Sequence, residues 1–470
     1  MFSWRRVLIG LASGQHVIPA RYLSYDASKS SASASRDNRV ESGQGRWVWR
    51  SYFAPASASS TSRNHPTMRT TWTFHTAGRI VFGLDAVDSL GDHLRELSTE
   101  SSRVLVVTDR TLVEAGVCER VTGVLSAAGI EWSVFDGGCP EPPMDLAMTC
   151  AEAAGAEGAG WLLGLGGGSN MDLAKVTACV LAHGGHPRDY LGDCIVPGPV
   201  FPLACVPTTA GTGSEVTAAS VLSDPDRGIK VAILSEFLRP RLSVVDPRLT
   251  LSCPAHVTAD SGIDALTHAI EAFTAVDNES FPLPEGERSV YQGRFVLTDL
   301  TAGKAIELVA LFLRRAVEDP EDIEAREGMS LAALLAGIGF SNSGVAAVHA
   351  LEYPLGSAVK TSHGRGNGLL LPYVMDFNRS ADLETFALVA ALMGEETEGM
   401  SEDEASAAGV AAVASLKADV GIPARLRDVG VTKEQLPGFA EIASGLVRIL
   451  RVNTREASRE DLESILRSAF

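Results

Sequence analysis

The chain has 470 residues, 45% of them hydrophobic and 21% charged, with a formal net charge of −18. That length and apolar share suffice for a large core or two domains, and the acidic balance excludes a general affinity for nucleic acid in favour of small-molecule partners. No run approaches the roughly 18–20 apolar residues that span a bilayer, so no membrane partner is expected, and seven cysteines without a CxxC pair read as free thiols of a reducing compartment.

Residues 1–67 stand apart, with nine Lys or Arg against Asp26, Asp37 and Glu41, and with the low-complexity stretches SKSSASASR and APASASSTSR. Such a segment buries too little apolar surface to fold. It reads either as an organelle transit peptide or, the reading preferred, as an extension ahead of a working start at Met68. The matching location is cytoplasmic, or mitochondrial if the segment is a transit peptide.

From about residue 70 to 250, short apolar runs alternate with helical patterns. RVLVVTD (103–109), GWLLGLGGGS (160–169), FPLACVPTT (201–209) and RLSVVD (241–246) predict buried strands, with amphipathic helices at 111–128 and 145–158 between them. Continuously apolar strands alternating with helices predict a parallel sheet covered on both faces, an α/β dinucleotide-binding domain over 68–250. Beyond it, Ala/Leu-rich periodic segments at 259–274, 299–317, 321–339, 402–420 and 455–468 predict an all-helical domain over 251–470. The polar, Pro/Gly-rich stretch 275–295 predicts a surface loop, and Pro354 is expected to break the helix that follows His349.

Two strand ends in the first domain are rich in small residues. GLGGGSNMDLAK (164–175) sets Gly166, Gly167 and Gly168 between a strand and a helix, where backbone without Cβ approaches a pyrophosphate and a helix N-terminus favours an anion. Ser169 stands where G-x-G-x-x-G would have its last glycine. PTTAGTGSEV (207–216) adds the hydroxyls of Thr208, Thr209, Thr212 and Ser214 at a second strand end, and together the two turns suit a nucleotide crevice. At a third strand end, Asp109 either accepts from an adenosine ribose and repels a 2′-phosphate, favouring NAD, or caps the helix RTLVEAG.

In the helical half, SGIDALTHAIEAF (261–273) carries Asp264 and His268 on one face of an apolar helix. His349 in SGVAAVHALEYPLG and His363 in KTSHGRGN are the downstream candidates to join them. One carboxylate and three imidazoles make a donor set suited to Fe(II) or Zn(II).

GGGSNMDLAK, PTTAGTGSE, GIDALTHAIE and VHALEYPLG followed by SHGRGN together resemble the iron-containing (group III) alcohol dehydrogenase family, over about residues 70–470. DVGIPARLRDVGV resembles its lactaldehyde/propanediol oxidoreductase branch. The resemblance implies a dehydroquinate synthase-like architecture and places metal ligands on Asp264, His268, His349 and His363. It implies NAD-binding positions at Asp109, the 166–169 turn, Asp172, Thr208, Thr209, Thr212 and Lys230. The activity implied is hydride transfer between NAD(H) and a small alcohol or aldehyde, and a homodimer is expected. Phe340 is a candidate pocket wall or a plain core aromatic. Tyr353 stands where many members carry a further His, and a phenol is a poor base near neutral pH. Tyr353 and the long 275–295 loop are similar to hydroxyacid–oxoacid transhydrogenases (4-hydroxybutyrate-type), whereas the short His349–His363 spacer is as in the alcohol dehydrogenases. The transhydrogenase therefore stands as an alternative, and a dehydroquinate synthase-like lyase fits the Asp/His/His/His set less well.

Overall fold

Strands form where the chain is most continuously apolar, and a computed structural model describes residues 69, 71–98 and 103–470. The segment 1–67, with its transit-peptide or extension reading, lies outside the described residues. In chain order the first part runs β1 (Ile80–Phe82), α1 (Leu90–Leu97), β2 (Val104–Val107), α2 (Arg110–Glu114), α3 (Val117–Ala127), β3 (Trp132–Phe135), α4 (Leu146–Ala156), β4 (Trp161–Gly166) and α5 (Gly168–His183). It continues through β5 (Gly192–Asp193), β6 (Leu203–Pro207), β7 (Ala219–Asp224), β8 (Ile229–Leu234) and β9 (Leu242–Val245). Six of these strands pair in the order β1-β9-β6-β4-β2-β3, every pair parallel.

The four strands legible as apolar runs, β2, β4, β6 and β9, are buried at every residue. Alternate side chains go to opposite faces. Leu105, Val107 and Leu162 pack with Met144, Ala147, Cys150 and Met171 on one face, while Val104, Val106 and Leu163 pack with Leu90, Leu94, Val121 and Leu125 on the other. The remaining strands are short, or flanked by turns, and lack such runs. β3 is an edge strand with only half its residues covered, and β7–β8 is an antiparallel hairpin in a second, three-stranded sheet with β5. The helix predicted over 111–128 is two, α2 and α3, because Gly116 turns the chain at φ 77°.

From Ala255 onward all regular structure is helical: α6 (Ala255–Phe273), α7 (Val296–Glu318), α8 (Ile323–Ser343), α9 (Ala347–Val359), α10 (His363–Arg379), α11 (Leu383–Leu392), α12 (Glu402–Asp419), α13 (Leu436–Ser444), α14 (Val447–Leu450) and α15 (Arg459–Ser468). Two expectations need correction here. Pro354 does not break its helix; α9 runs on to Val359, with Pro354 buried well inside it. The 275–295 stretch is irregular but not a mere surface loop. Phe281, Val290, Tyr291 and Phe295 are buried, and Arg294 and Gly293 bond back to Val276 and Ser343. Its scattered apolar residues have no period, so their common inward direction is a tertiary fact. No single described helix is long and apolar enough to cross a membrane.

Candidate metal centre and cleft

Three helices supply the polar cluster. α6 carries Asp264 and His268, α9 carries His349 near its start, and His363 is the first residue of α10. The crossing of α10 over α6 depends on Gly364, because a Cβ there would lie 2.0 Å from the Asp260 carbonyl oxygen. That close approach sets His363 beside Asp264. One ligand-type atom from each of Asp264, His268, His349 and His363 falls within 4.8 Å of the others. Asp264, His268 and His349 are at most 5% exposed.

The surroundings leave this cluster with more electron pairs than donors. Glu271 accepts from the backbone N–H groups of Ala346 (2.9 Å) and Val348 (2.7 Å) and meets His349 Nδ1 at 2.6 Å. Glu352 meets His363 Nδ1 in the same manner. A carboxylate on Nδ1 holds that nitrogen as the donor and leaves Nε2 as the electron-pair donor, which is how metal-ligating histidines are usually oriented. Asn367 Nδ2 lies 2.8 Å from Asp264 Oδ1 and 3.2 Å from Nε2 of both His349 and His363. An amide NH₂ has two protons for those three acceptors, and His268 Nδ1 is buried with no partner. The donor set fits a divalent cation better than it fits the protons available.

Electrostatics agree. Burial pushes His268 down to about 4 despite the nearby Asp264 carboxylate, so its imidazole is neutral. Burial alone would raise Asp264, but His268, His363 and His349 hold it below the usual carboxylate range. Phe340 is buried and stacks on His268 at 4.1 Å with ring planes 14° apart, so it is at once a core aromatic and a wall of the site.

One cavity joins this cluster to the carboxyl edge of the sheet. Its wall includes Asp264, His268, His349, His363, Phe340 and Tyr353, and also Gly168, Ser169, Asp172, Thr212 and Lys230. Gly166, Gly167, Thr208, Thr209 and Asp109 stand at neighbouring strand ends but not in that wall. Gly166 adopts φ 142°, and a Cβ on it would meet Asn170 Nδ2 at 2.3 Å, so its need for glycine is structural. Asp109 caps α2 by accepting from Leu112 N at 3.1 Å, and its other oxygen accepts from Asn170 Nδ2 at 2.7 Å. Asp172 is likewise engaged, accepting from Ser214 Oγ (2.6 Å) and Val221 N (2.8 Å), which ties α5 to β7. Lys230 Nζ bonds Glu141 at 3.0 Å and Glu352 at 3.3 Å. Glu271, Glu352, Asn367, Glu141 and Tyr291 were not distinguishable in the sequence. The one available signal was a carboxylate three residues beyond each of His268 and His349.

A parallel sheet whose carboxyl edge shares a cleft with a helical cluster of potential metal ligands defines a class of two-part α/β and helical proteins. Residues 77–247 match the model for iron-containing alcohol dehydrogenase, and residues 287–470 match the C-terminal model of the Fe-containing alcohol dehydrogenase family. Lactaldehyde reductase of Escherichia coli (strain K12) is 36% identical over 391 residues, covering 83% of this chain and 97% of that protein. NAD-dependent methanol dehydrogenase of Bacillus methanolicus is 34% identical over 390 residues, with 83% and 97% covered. A crystal structure of 1,3-propanediol oxidoreductase superposes with a TM-score of 0.80 at 34% identity, over 85% of this chain and 100% of that one. The chain belongs to the iron-containing alcohol dehydrogenase family.

Proposed function

We propose that the chain is an NAD-dependent dehydrogenase that moves a hydride between the nicotinamide and a small alcohol or aldehyde. Asp264, His268, His349 and His363 hold Fe(II), with Zn(II) able to take its place at such ligands. The observation that carries this reading is the single cavity whose wall includes both the four ligating groups and the Gly168–Ser169–Thr212 turn region. When bound, the cation supplies Lewis acidity at the substrate oxygen and the nicotinamide carries the hydride.

The chain's own residues do the positioning. Glu271 and Glu352 fix the ring orientation of His349 and His363, and Phe340 holds the plane of His268. The N-terminus of α5, opened by Gly167 and Gly168, offers backbone N–H groups to a diphosphate. Asp109 already accepts one hydrogen bond at each oxygen, which leaves lone pairs for a ribose hydroxyl, and its charge would repel a 2′-phosphate and so favour NAD over NADP. Asp172 and Lys230 act on the cleft through the partners they hold.

The test is a spectrophotometric screen of NAD reduction over short alcohols, diols and 4-hydroxybutyrate, on protein stripped of metal and reloaded with Fe(II) or Zn(II). NADH formation that needs the metal and is lost in His268→Ala supports the reading. Metal-independent turnover, or full activity in His268→Ala, overturns the site. NADP used better than NAD overturns the role of Asp109, and turnover of a hydroxyacid with an oxoacid in the absence of added nucleotide points to the transhydrogenase.

A further inference from the structure

Arg448 lies on α14, the short helix that packs against α9, which carries His349 and Tyr353. Four residues on, Val452 sits beside the Tyr291 ring: a Cβ on Gly344 would lie 2.6 Å from Val452 and 3.0 Å from Tyr291. The Val452 carbonyl also accepts from Val276 N at 2.9 Å, joining this turn to the start of the 275–295 stretch. Tyr291 and Tyr353 both line the cavity of the metal centre. The guanidinium is near enough to both phenols for its charge to counter the effect of their burial.

Among the described residues no carboxylate pairs with this partly buried arginine. Its Nη1 is buried and makes no hydrogen bond, whereas the neighbouring Arg451 pairs with Glu287 at 3.0 Å. A buried guanidinium N–H left unpaired is costly, and the planar fork of Arg suits two-oxygen anions. The cation in the cavity wall, Lys230, is already offset by Glu141 and Glu352. An incoming anionic group would therefore find its unsatisfied donor at Arg448.

We propose that Arg448, with the phenols of Tyr291 and Tyr353 beside it, forms an anion-holding end of the substrate cavity, so that the alcohol or aldehyde turned over carries an oxyanion, a carboxylate or a sulfonate, on a carbon away from the reacting one. The proposal rests on the dehydrogenase reading for the reaction, but its binding step is tested without turnover.

Two matched comparisons read the preference: kcat/KM for 4-hydroxybutyrate against 1,4-butanediol, and for isethionate against propan-1-ol. The parent protein is expected to favour at least one anionic member by about 10²-fold, and Arg448→Gln to shrink that ratio by about 30-fold or more, with Arg448→Lys intermediate. Whichever anion is favoured identifies the substrate class. A merely structural role would lower both members of a pair and leave the ratio unchanged. In parallel, calorimetry of the full chain with butyrate and with ethanesulfonate, which cannot react, is expected to show binding that weakens at least tenfold in Arg448→Gln. No anionic preference, a ratio unmoved in Arg448→Gln, or anion binding indifferent to Arg448 overturns the proposal. Arg448-dependent binding without oxidation of any alcohol would keep the site and overturn the dehydrogenase reading instead.

Discussion

Asp264 and His268 stand on a helix whose neighbouring buried positions are Ile263, Leu266, Ala269 and Ile270, so their burial needs compensation. The Asn367 amide provides part of it at Asp264, and the unpartnered His268 Nδ1 shows where it is incomplete. Asp264→Asn is expected to lower metal content below one tenth of an equivalent and activity by about 10³-fold, measured by elemental analysis alongside NADH formation. Glu352→Gln keeps the volume but loses the charge that orients His363. We expect metal affinity to fall about 10–100-fold in a chelator competition, with the fold intact. Away from the site, Asp299 is pushed up to about 7 by burial, reinforced by Asp277 and Asp382 against the pull of Arg294. Its folded form therefore holds a proton more tightly than the unfolded chain, and its contribution to stability falls as pH rises from about 4 to 7. Asp299→Asn should exceed the parent in denaturant stability by about 1–3 kcal/mol at pH 8 and match it near pH 4. An advantage that persists unchanged at pH 4 would contradict this assignment.

Helices α6 and α10 bring Asp264 and His363 together where they touch at Gly364. Replacing it with Ala places a Cβ 2.0 Å from the Asp260 carbonyl and 2.9 Å from Asp264 Cβ, so backbone must separate. Gly364→Ala is expected to cost about 1–3 kcal/mol and to lose metal at the same time, which urea unfolding and metal analysis would report together. At this scale the sequence was informative where periodicity was strong. β2, β4, β6, β9 and the long helices α6, α7, α8 and α12 were legible within a few residues. The short strands β1, β3, β5, β7 and β8 were not, since two to six residues without a continuous apolar run look like the loops around them. α9 shows in the sequence as a helix cut at Pro354, and α10 does not show as a helix, yet burial against neighbouring helices holds both segments helical.

For the whole molecule, the cavity links two halves of the chain through contacts far apart in sequence, from Lys230 to Glu352 and from Asp264 to His363. A cation bound only by the folded arrangement stabilises it by mass action, about 2.7 kcal/mol at a free concentration of 100 times Kd. Treatment with a chelator should therefore lower the melting temperature by several degrees, and Fe(II) or Zn(II) should restore it in the parent but not in Asp264→Asn. The order of residues by itself singled out Asp264 and His268 as candidate ligands, because a carboxylate and an imidazole four apart on an apolar helix need partners if they are to be buried. It also determined the parallel sheet, through runs too apolar to face water on either side. Which carboxylates orient the imidazoles, and that Asp109 and Asp172 accept hydrogen bonds from Leu112, Asn170, Ser214 and Val221, was decided only in three dimensions. So was the inward turn of Tyr291 from a stretch that reads as solvent-exposed. A carboxylate or phenol has the same local signature whether it meets water, a backbone N–H or another side chain, and only the packing of distant segments chooses among them.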